Sequence, residues 1–551
     1  MRNSVIKNNF TSGELTPLMY GRTELEPYAK GLAECINMRV LRHGGVTRRD
    51  GTRYVGQTKN GSEKCRLIPF VFSQSDSMVI EFGPAYIRFH DETGPLTGST
   101  DVVTNGSFDT GVAGWTDAST GSAYMAWTAY NQSMLMYVGL SGTDIAKGRQ
   151  TLTVVAATDY TLTFDSIETT DFRDIVRIGS TLGGSEYYSG GVTQGANSHI
   201  FTTVGTTVYL EFATSGSVIT PNLMRVDNVT CKANTILEYA TPYAEHELKE
   251  LMYAQSNDVM YITHRNHPPK KLSRVTTSPL AFTFASVVIE QGPFANPFGN
   301  TITMTINTGS TWTAGITGTL DASAAYFTTA DAGEYALVRD PADVTKFAVV
   351  YMSAYVSTTQ MTAVFTTDIP AGLQATASNI WAIQAIGDRN GYPSAVTFHD
   401  QRLVYGGTTT QPQNYWGSTV ADFDVFTVGV EPDDHYDFQL ASTKQNDINW
   451  LAVKSDMIIG TISNEWGVRG GGDGDPITPS NVIARAFRSE GSRRVQPEEA
   501  NDMLCFVQRS GHKLIGLGYS EVENSVSTND MSLLAEHLTN SSIIEQISYK
   551  S

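Results

Sequence analysis

Charge is sparse in this chain and cysteine nearly absent. Only 17% of its 551 residues are Asp, Glu, Lys or Arg, and it has four cysteines, Cys35, Cys65, Cys231 and Cys505. No two of these are close in sequence, which excludes a CxxC metal or redox motif. The expectation is four buried thiols in a protein made in a reducing cytosol. The N-terminal stretch MRNSVIKNNFTSGEL lacks an apolar core and does not read as a secretory signal. No apolar run approaches ~18 residues, so no membrane-spanning helix is expected. A GxxxxGK(S/T) phosphate loop and an HExxH zinc helix are both missing. No Ser-His-Asp order stands out, and the chain reads as having no active site, no metal site and no cofactor. Helical patterning is scarce too. The best stretch is YAEHELKELMYAQS, residues 243 to 256, with Leu248, Leu251 and Met252 on one predicted face.

What is present is the composition of short strands and tight turns. Hydrophobic residues make up 40% of the chain and glycine numbers 49, with frequent Thr, Tyr, Val and Phe. The length is several times that of a typical domain, so three or more folding units are expected. The net charge of −18 argues against nucleic-acid binding over the whole surface. It leaves room for DNA near one basic patch, and it suits a surface that must not hold on to DNA.

One pattern recurs: a turn with Asp, an alternating apolar strand, a second turn, another strand. It occurs at SQSDSMVIEFGPAYIRFH (Asp76), QSNDVMYITHRNHPPKKLSR (Asp258), VTFHDQRLVYGGT (Asp400), KSDMIIGTISNEWGVRGG (Asp456) and ANDMLCFVQRSGHKLIGLGY (Asp502). The last two intervals are 56 and 46 residues, the first two 182 and 142. Each long interval contains a stretch of different character, residues 100–234 and 295–385. Setting these aside brings all four intervals near 50. Paired strands repeating every ~40–50 residues are the signature of β-propeller blades, against a plain succession of sandwich hairpins. The expected fold is therefore all-β, a propeller core with two inserts. The divisions are 1–60, 61–99, 100–234, 235–294, 295–385 and 386–551.

The first insert opens VTNGSFDTGVAGWTDAS and closes NLMRVDNVTCK. Asn105, Gly106, Phe108, Asp109, Gly111, Gly114 and Trp115 at the opening, and Asp227, Asn228 and Val229 at the close, resemble galactose-binding-like jelly rolls of the carbohydrate-binding-module kind. That resemblance implies a sandwich with Trp115 packed beneath it. Tyr124, Trp127 and Tyr130, in the polar stretch GSAYMAWTAYNQS, are the candidate glycan-stacking rings; the alternative is that Trp127 belongs to the core. The second insert alternates at period two and reads as a small β module.

Three polar clusters are ambiguous. GGGDGDP places Asp473 and Asp475 among glycines, but two carboxylates fall short of the six to eight oxygens of a calcium site. EPDDHYDF gathers Glu431, Asp433, Asp434 and Asp437, a solvated loop unless their spacing suits glycoside hydrolysis. His264 and His267 in HRNHPP would chelate a metal on a helix, yet Pro268 and Pro269 argue for a turn.

One window runs against the acidic balance. From Arg39 to Arg53 there are five arginines, Arg39, Arg42, Arg48, Arg49 and Arg53, against Asp50. Removing this window of net +4 from a chain of −18 leaves −22. Gly44, Gly45 and Gly51 let its backbone turn sharply.

Several stretches together resemble the tail nozzle proteins (tail tubular protein B) of short-tailed bacteriophages. They are NNFTSGELTPLMYGRTELEPYAKGLAECINMRVLRHGGVTRRDGTRYV, RLIPFVFSQSDSMVIEFGPAYIRF, EYATPYAEHELKELMYAQSNDVMYITHRNHPPKKLSR, GYPSAVTFHDQRLVYGGTTTQPQNYWGS and NEWGVRGGGDGDPITPSN. The resemblance covers nearly all of the chain outside the inserts. It implies a homo-hexameric ring around a double-stranded DNA channel, docked beneath the head–tail adaptor ring and carrying tail fibre or spike protein, in the tail of a virion, the protein being synthesised in the bacterial host cytoplasm. In that family the N-terminal region meets the adaptor, which makes the five arginines candidate adaptor or subunit contacts for carboxylates. Phosphate contact with DNA and a solvated loop are the other readings. The pattern stops after SLLAEHLT, so either an N-terminal strand completes the last blade or the chain ends short of the family's usual tip. Two other functions stand beside the structural one: a glycan-binding adhesin of the host surface, and a tail-associated glycan hydrolase.

Overall fold

Period-two alternation runs through most of the chain, and in the computed structural model it becomes strand after strand. The structure describes residues 7–549 except 74–75, 93, 98–100, 130, 170–172, 278–279, 296–298, 310, 473 and 521–524. The fold is all-β: among the described residues the helical segments are one turn of α-helix, Glu26–Ala29, and short 3-10 pieces. The stretch with helical patterning forms a 3-10 segment, Glu245–Glu250, and then a strand, Met252–Ser256. Leu248, Leu251 and Met252 are all buried, but from Met252 on the chain pairs with Val259–His264. A sheet that can take the strand overrides the helical propensity of a short segment.

Five four-stranded antiparallel sheets carry the Asp-turn repeat. The first comprises Arg66–Val71, Ser77–Gly83, Tyr86–His90 and Glu238–Ala240; the second Met252–Ser256, Val259–His264, His267–Thr277 and Leu280–Ser286. The third is Ala395–His399, Arg402–Gly406, Asn414–Gly417 and Tyr436–Gln439, and the fourth Ile448–Val453, Met457–Thr461, Glu465–Arg469 and Ile483–Arg488. The fifth is Glu498–Ala500, Met503–Val507, Leu514–Ser520 and Ser525–Asp530. Asp76, Asp258, Asp400, Asp456 and Asp502 each lie between the first and second strand of their sheet. Asn257, Asp400, Gln401 and Asn501 at these turns take positive φ, the conformation that short polar side chains tolerate best.

Successive sheets pack on one another. Ile68, Phe70 and Phe89 of the first share a core with Met260, Ile262 and Phe282 of the second, where the Phe89 and Phe282 rings stack at 4.3 Å. Tyr261 of the second packs with Val396, Leu403 and Tyr405 of the third. Val404 and Tyr415 of the third share a core with Ile448, Met457 and Ile459 of the fourth. Trp450 and Ile458 of the fourth meet Leu504, Phe506 and Ile515 of the fifth, together with Met252 of the second. The C-terminal tail returns from the fifth sheet to the first, where Gln546 Nε2 donates to the Leu67 carbonyl. The fifth sheet is built from its own four strands. The N-terminal strand Gly13–Glu14 pairs with Gly31–Leu32 instead, and His537 Nε2 meets Glu14 Oε1 at 2.9 Å.

Between the third and fourth strands of the first sheet the chain makes a sandwich. Its two five-stranded sheets enclose Phe108, Trp115, Met134, Met136, Phe164, Leu210 and Phe212. The chain leaves and re-enters side by side: Thr97 bridges Ile236, and Leu237 N donates to Leu96 O at 2.7 Å. Between the second and third sheets it makes a closed six-stranded barrel over Gly299–Ile383. There too the ends meet, with Ala295 N on Ile383 O and Ala385 N on Pro293 O. Cys231 and Cys505 are buried, whereas Cys35 and Cys65 are half-buried, so the expectation of four buried thiols holds for two. Among the described residues no helix is long and apolar enough to cross a membrane.

Candidate functional site

The arginine window is a small hairpin. Met38–Val40 pairs with Val46–Arg48 in the register Met38↔Arg48, Arg39↔Thr47, Val40↔Val46. The turn closes with Leu41 N on Gly45 O and Gly44 N on Leu41 O. Gly44 has φ +93° and packs against Asn9, and its carbonyl accepts from Phe10 N, so this one glycine needs its missing Cβ. Gly45 and Gly51 show no such φ.

All five arginines are exposed. Arg39 lies 3.9 Å from Asp50, a pair so exposed that it contributes little. Arg42, Arg48, Arg49 and Arg53 have no ion-pair partner among the described residues. Large apolar side chains stand out between them: Ile36, Met38, Leu41, Tyr54 and Val55 are also exposed. The arginines are legible from their charge and these neighbours are not, because apolar residues in a strand-like stretch read as core. Exposed apolar side chains interleaved with arginines are the composition of a protein interface.

The sandwich rim is built on the NGSF opening. Gly106 lies against the closing strand, where an added Cβ would fall 1.9 Å from the Val229 carbonyl oxygen, and Val229 N donates to Gly106 O. Trp115 is 7% exposed, packs on Phe108 and Phe212, and donates from Nε1 to Asn105 O. Trp127 is 37% exposed, and its Nε1 donates to Phe108 O at 2.7 Å. Tyr124, 43% exposed, lies on the same edge strand, Tyr124–Thr128. The strand's alternation puts the two rings on opposite faces. Trp127 is opposite the core residue Met134, and Tyr124 opposite Tyr137 on the outer face, where their rings lie 5.4 Å apart. The two candidate rings therefore do not form one platform. Tyr130 lies outside the described residues. The outer-face partner Tyr137 went unnoticed because cross-strand pairing is not written in local sequence. Arg225 and Glu168 form an ion pair on the same sheet.

Arg402 is 1% exposed, and its guanidinium donates to the carbonyls of Ser418, Pro432 and Asp434. The loop EPDDHYDF thus wraps a buried arginine. Asp434 Oδ2 accepts from Glu431 N, and Asp437 sits in a strand, its carboxyl pushed up to about 7 by burial. In GGGDGDP, Asp475 Oδ2 accepts from Gly472 N, closing a turn; Asp473 lies outside the described residues.

His264 and His267 flank a hairpin turn, at the end of Val259–His264 and the start of His267–Thr277. That geometry turns both rings toward Glu247 of the 3-10 segment. Nε2 of His267 is 2.9 Å from Glu247 Oε2, and Nδ1 of His264 is 4.0 Å from Oε1. Burial opposes ionisation of Glu247, but hydrogen bonds from Ala244 N, His267 and Asn266 outweigh it and hold its carboxyl at about 2. Burial lowers His264 to about 4.

No family model matches the chain, and no curated protein matches it. Parts of it are similar to solved structures. The enzymatically active domain of tailspike protein 4 of bacteriophage CBA120 shares 16% identity over 24% of this chain, with a TM-score of 0.20. The match spans only 21% of that chain. A CBM4 domain shares 16% identity over 24% of this chain and 99% of its own, TM-score 0.19. The adhesin domain of Epf from Streptococcus pyogenes shares 10% over 51% and 95%, TM-score 0.20. Similarity at this level bears on neither activity nor ligand.

Proposed function

We propose that this chain is a structural protein of a bacteriophage virion, the tail nozzle below the head–tail adaptor. In this reading the five four-stranded sheets are the blades of a five-bladed β-propeller, closed by the C-terminal tail. Six copies form a ring that conducts double-stranded DNA during ejection and carries fibre or spike protein. The protein is not an enzyme in this reading. The observation that carries the proposal is the hairpin over residues 38–48. It holds exposed arginines, of which Arg42 and Arg48 have no ion-pair partner among the described residues, between exposed apolar side chains, on a segment with almost no core of its own. Such a surface suits carboxylates and apolar residues of an adaptor or neighbouring subunit. Six copies of −18 give −108, which would repel DNA from the wall; screening confines that effect to residues within ~8 Å of it. Negative-stain images of the purified protein mixed with its adaptor ring test the reading. Six-fold rings stacked on the adaptor are expected, and monomers that ignore the adaptor would refute it.

A second reading has one observation in its favour. The Tyr124–Tyr137 pair beside the Arg225–Glu168 ion pair makes an aromatic and polar outer sheet face, suited to stacking a host-surface glycan. Glycan-array binding by the full chain, lost in Tyr124→Ala and kept in Trp127→Phe, is the expected outcome if the face acts this way.

A further inference from the structure

Glu247, His264 and His267 offer ligand atoms that all lie within 4.8 Å of one another. They come from two separate pieces of chain, the 3-10 segment Glu245–Glu250 and the turn between the second and third strands of the second sheet. A tetrahedral ion with bonds of about 2.0–2.1 Å has ligand atoms about 3.3 Å apart. The two measured separations here, 2.9 Å and 4.0 Å, bracket that value. A second feature is independent of the clustering. His264 is 2% exposed; its Nδ1, the nitrogen nearer Glu247, accepts from Asn266 N, while among the described residues its Nε2 has no hydrogen-bond partner, and the hydroxyl of Tyr243, 1% exposed, has none either. The Tyr243 ring stands edge-on to both imidazoles, at 5.3 Å and 6.2 Å. Orphaned polar atoms inside a protein are costly, and an imidazole nitrogen left without a partner is available to a cation.

We propose that Glu247, His264 and His267 bind one divalent first-row transition ion of the zinc class. Two imidazoles and one carboxylate favour such an ion over calcium or magnesium, which take oxygen ligands. The ion would fasten the 3-10 segment to the hairpin turn. That segment also receives Arg66 of the first sheet, whose NH1 donates to the Leu248 and Leu251 carbonyls. A single ion would therefore lock the junction of the first two sheets, at the place where the chain returns from the sandwich.

The test is titration of the chelator-stripped full-length protein with Co²⁺, followed by Zn²⁺. One Co²⁺ per chain is expected, with the visible absorption of a tetrahedral site, displaced by Zn²⁺. His267→Gln should weaken binding by at least about 100-fold, since even outer-shell changes cost 10–100-fold. His246→Gln, at an exposed histidine three residues from Tyr243, should leave binding unchanged. A second measurement uses wild-type protein alone: Zn²⁺ should protect His267 from carbethoxylation, mapped by mass spectrometry. Absence of stoichiometric binding, binding that survives His267→Gln, or equal modification of His267 with and without Zn²⁺ would each overturn the assignment.

Discussion

Trp115 and Trp127 are both tryptophans of the sandwich, and their surroundings predict different costs of mutation. Trp115 is enclosed by Phe108 and Phe212. Trp115→Ala should cost ~3–5 kcal/mol and lower the midpoint of the sandwich's transition in denaturant. Trp127→Phe keeps most of the ring and loses one hydrogen bond, to Phe108 O, for a cost of ~0.5–1.5 kcal/mol. Equal losses in the two variants would contradict this assignment of core and rim. Glu465 supplies a pH prediction. It is fully buried, accepts from Ser492 Oγ at 2.9 Å, and burial raises its carboxyl from 4.5 to about 7. A folded-state value above the unfolded one gives stability that is complete below about 4.5 and lost as pH rises through about 7. The loss is roughly 3 kcal/mol at neutral pH. Glu465→Gln keeps an acceptor for Ser492 and cannot ionise. A series of Tm against pH should therefore fall between these values in the wild type and flatten in the variant.

Among the elements, the arginine hairpin is the one whose role can be separated from folding. Its residues bury little, so Arg48→Glu with Arg49→Glu should leave far-UV circular dichroism unchanged. If the hairpin docks an adaptor as proposed, that docking should be lost at micromolar concentration. Truncating one partner of a buried interfacial charge pair already costs 2–5 kcal/mol, and two reversals replace attraction by repulsion. A DNA-phosphate role predicts the opposite pattern: adaptor pull-down intact, DNA affinity lower, and a salt slope shallower by about one per lost contact. The hairpin's position was legible from its charge alone, but its exposed apolar half was not. The 3-10 segment teaches the same lesson in another way. Leu248, Leu251 and Met252 are buried as their spacing suggested, but a neighbouring strand, not a helical face, received Met252.

At the scale of the whole molecule the two inserts behave as detours. The sandwich leaves the first sheet at Thr97 and returns at Ile236, its ends bridged to each other. Loop closure over such a span adds little, ~0.6 kcal/mol per doubling of length. Replacing residues 100–234 with a short linker should therefore leave soluble, β-rich protein in which Glu238–Ala240 still pairs with Tyr86–His90. Insoluble or unfolded protein would show that the sandwich core is integral to the rest. If the hairpin docks an adaptor as proposed, the deletion should leave that docking intact, since the hairpin contributes none of the sandwich strands.

The sequence by itself determined the all-β character, through period-two alternation, and the five Asp-centred turns, because Asp and Asn favour tight turns between strands. It also located the NGSF opening, since Gly106 has to admit the Val229 carbonyl. Only the tertiary structure decided which side chains meet across strands. Tyr124 faces Tyr137 while Trp127 lies on the opposite face of the strand, because pleat and register, not spacing along the chain, set the face. His264 and His267 read as a turn with no ligand set until a carboxylate 17 residues before His264 was folded against them. Contacts made by residues distant in sequence leave no local signal, and the arginines' exposure is likewise a property of the folded surface, not of the chain.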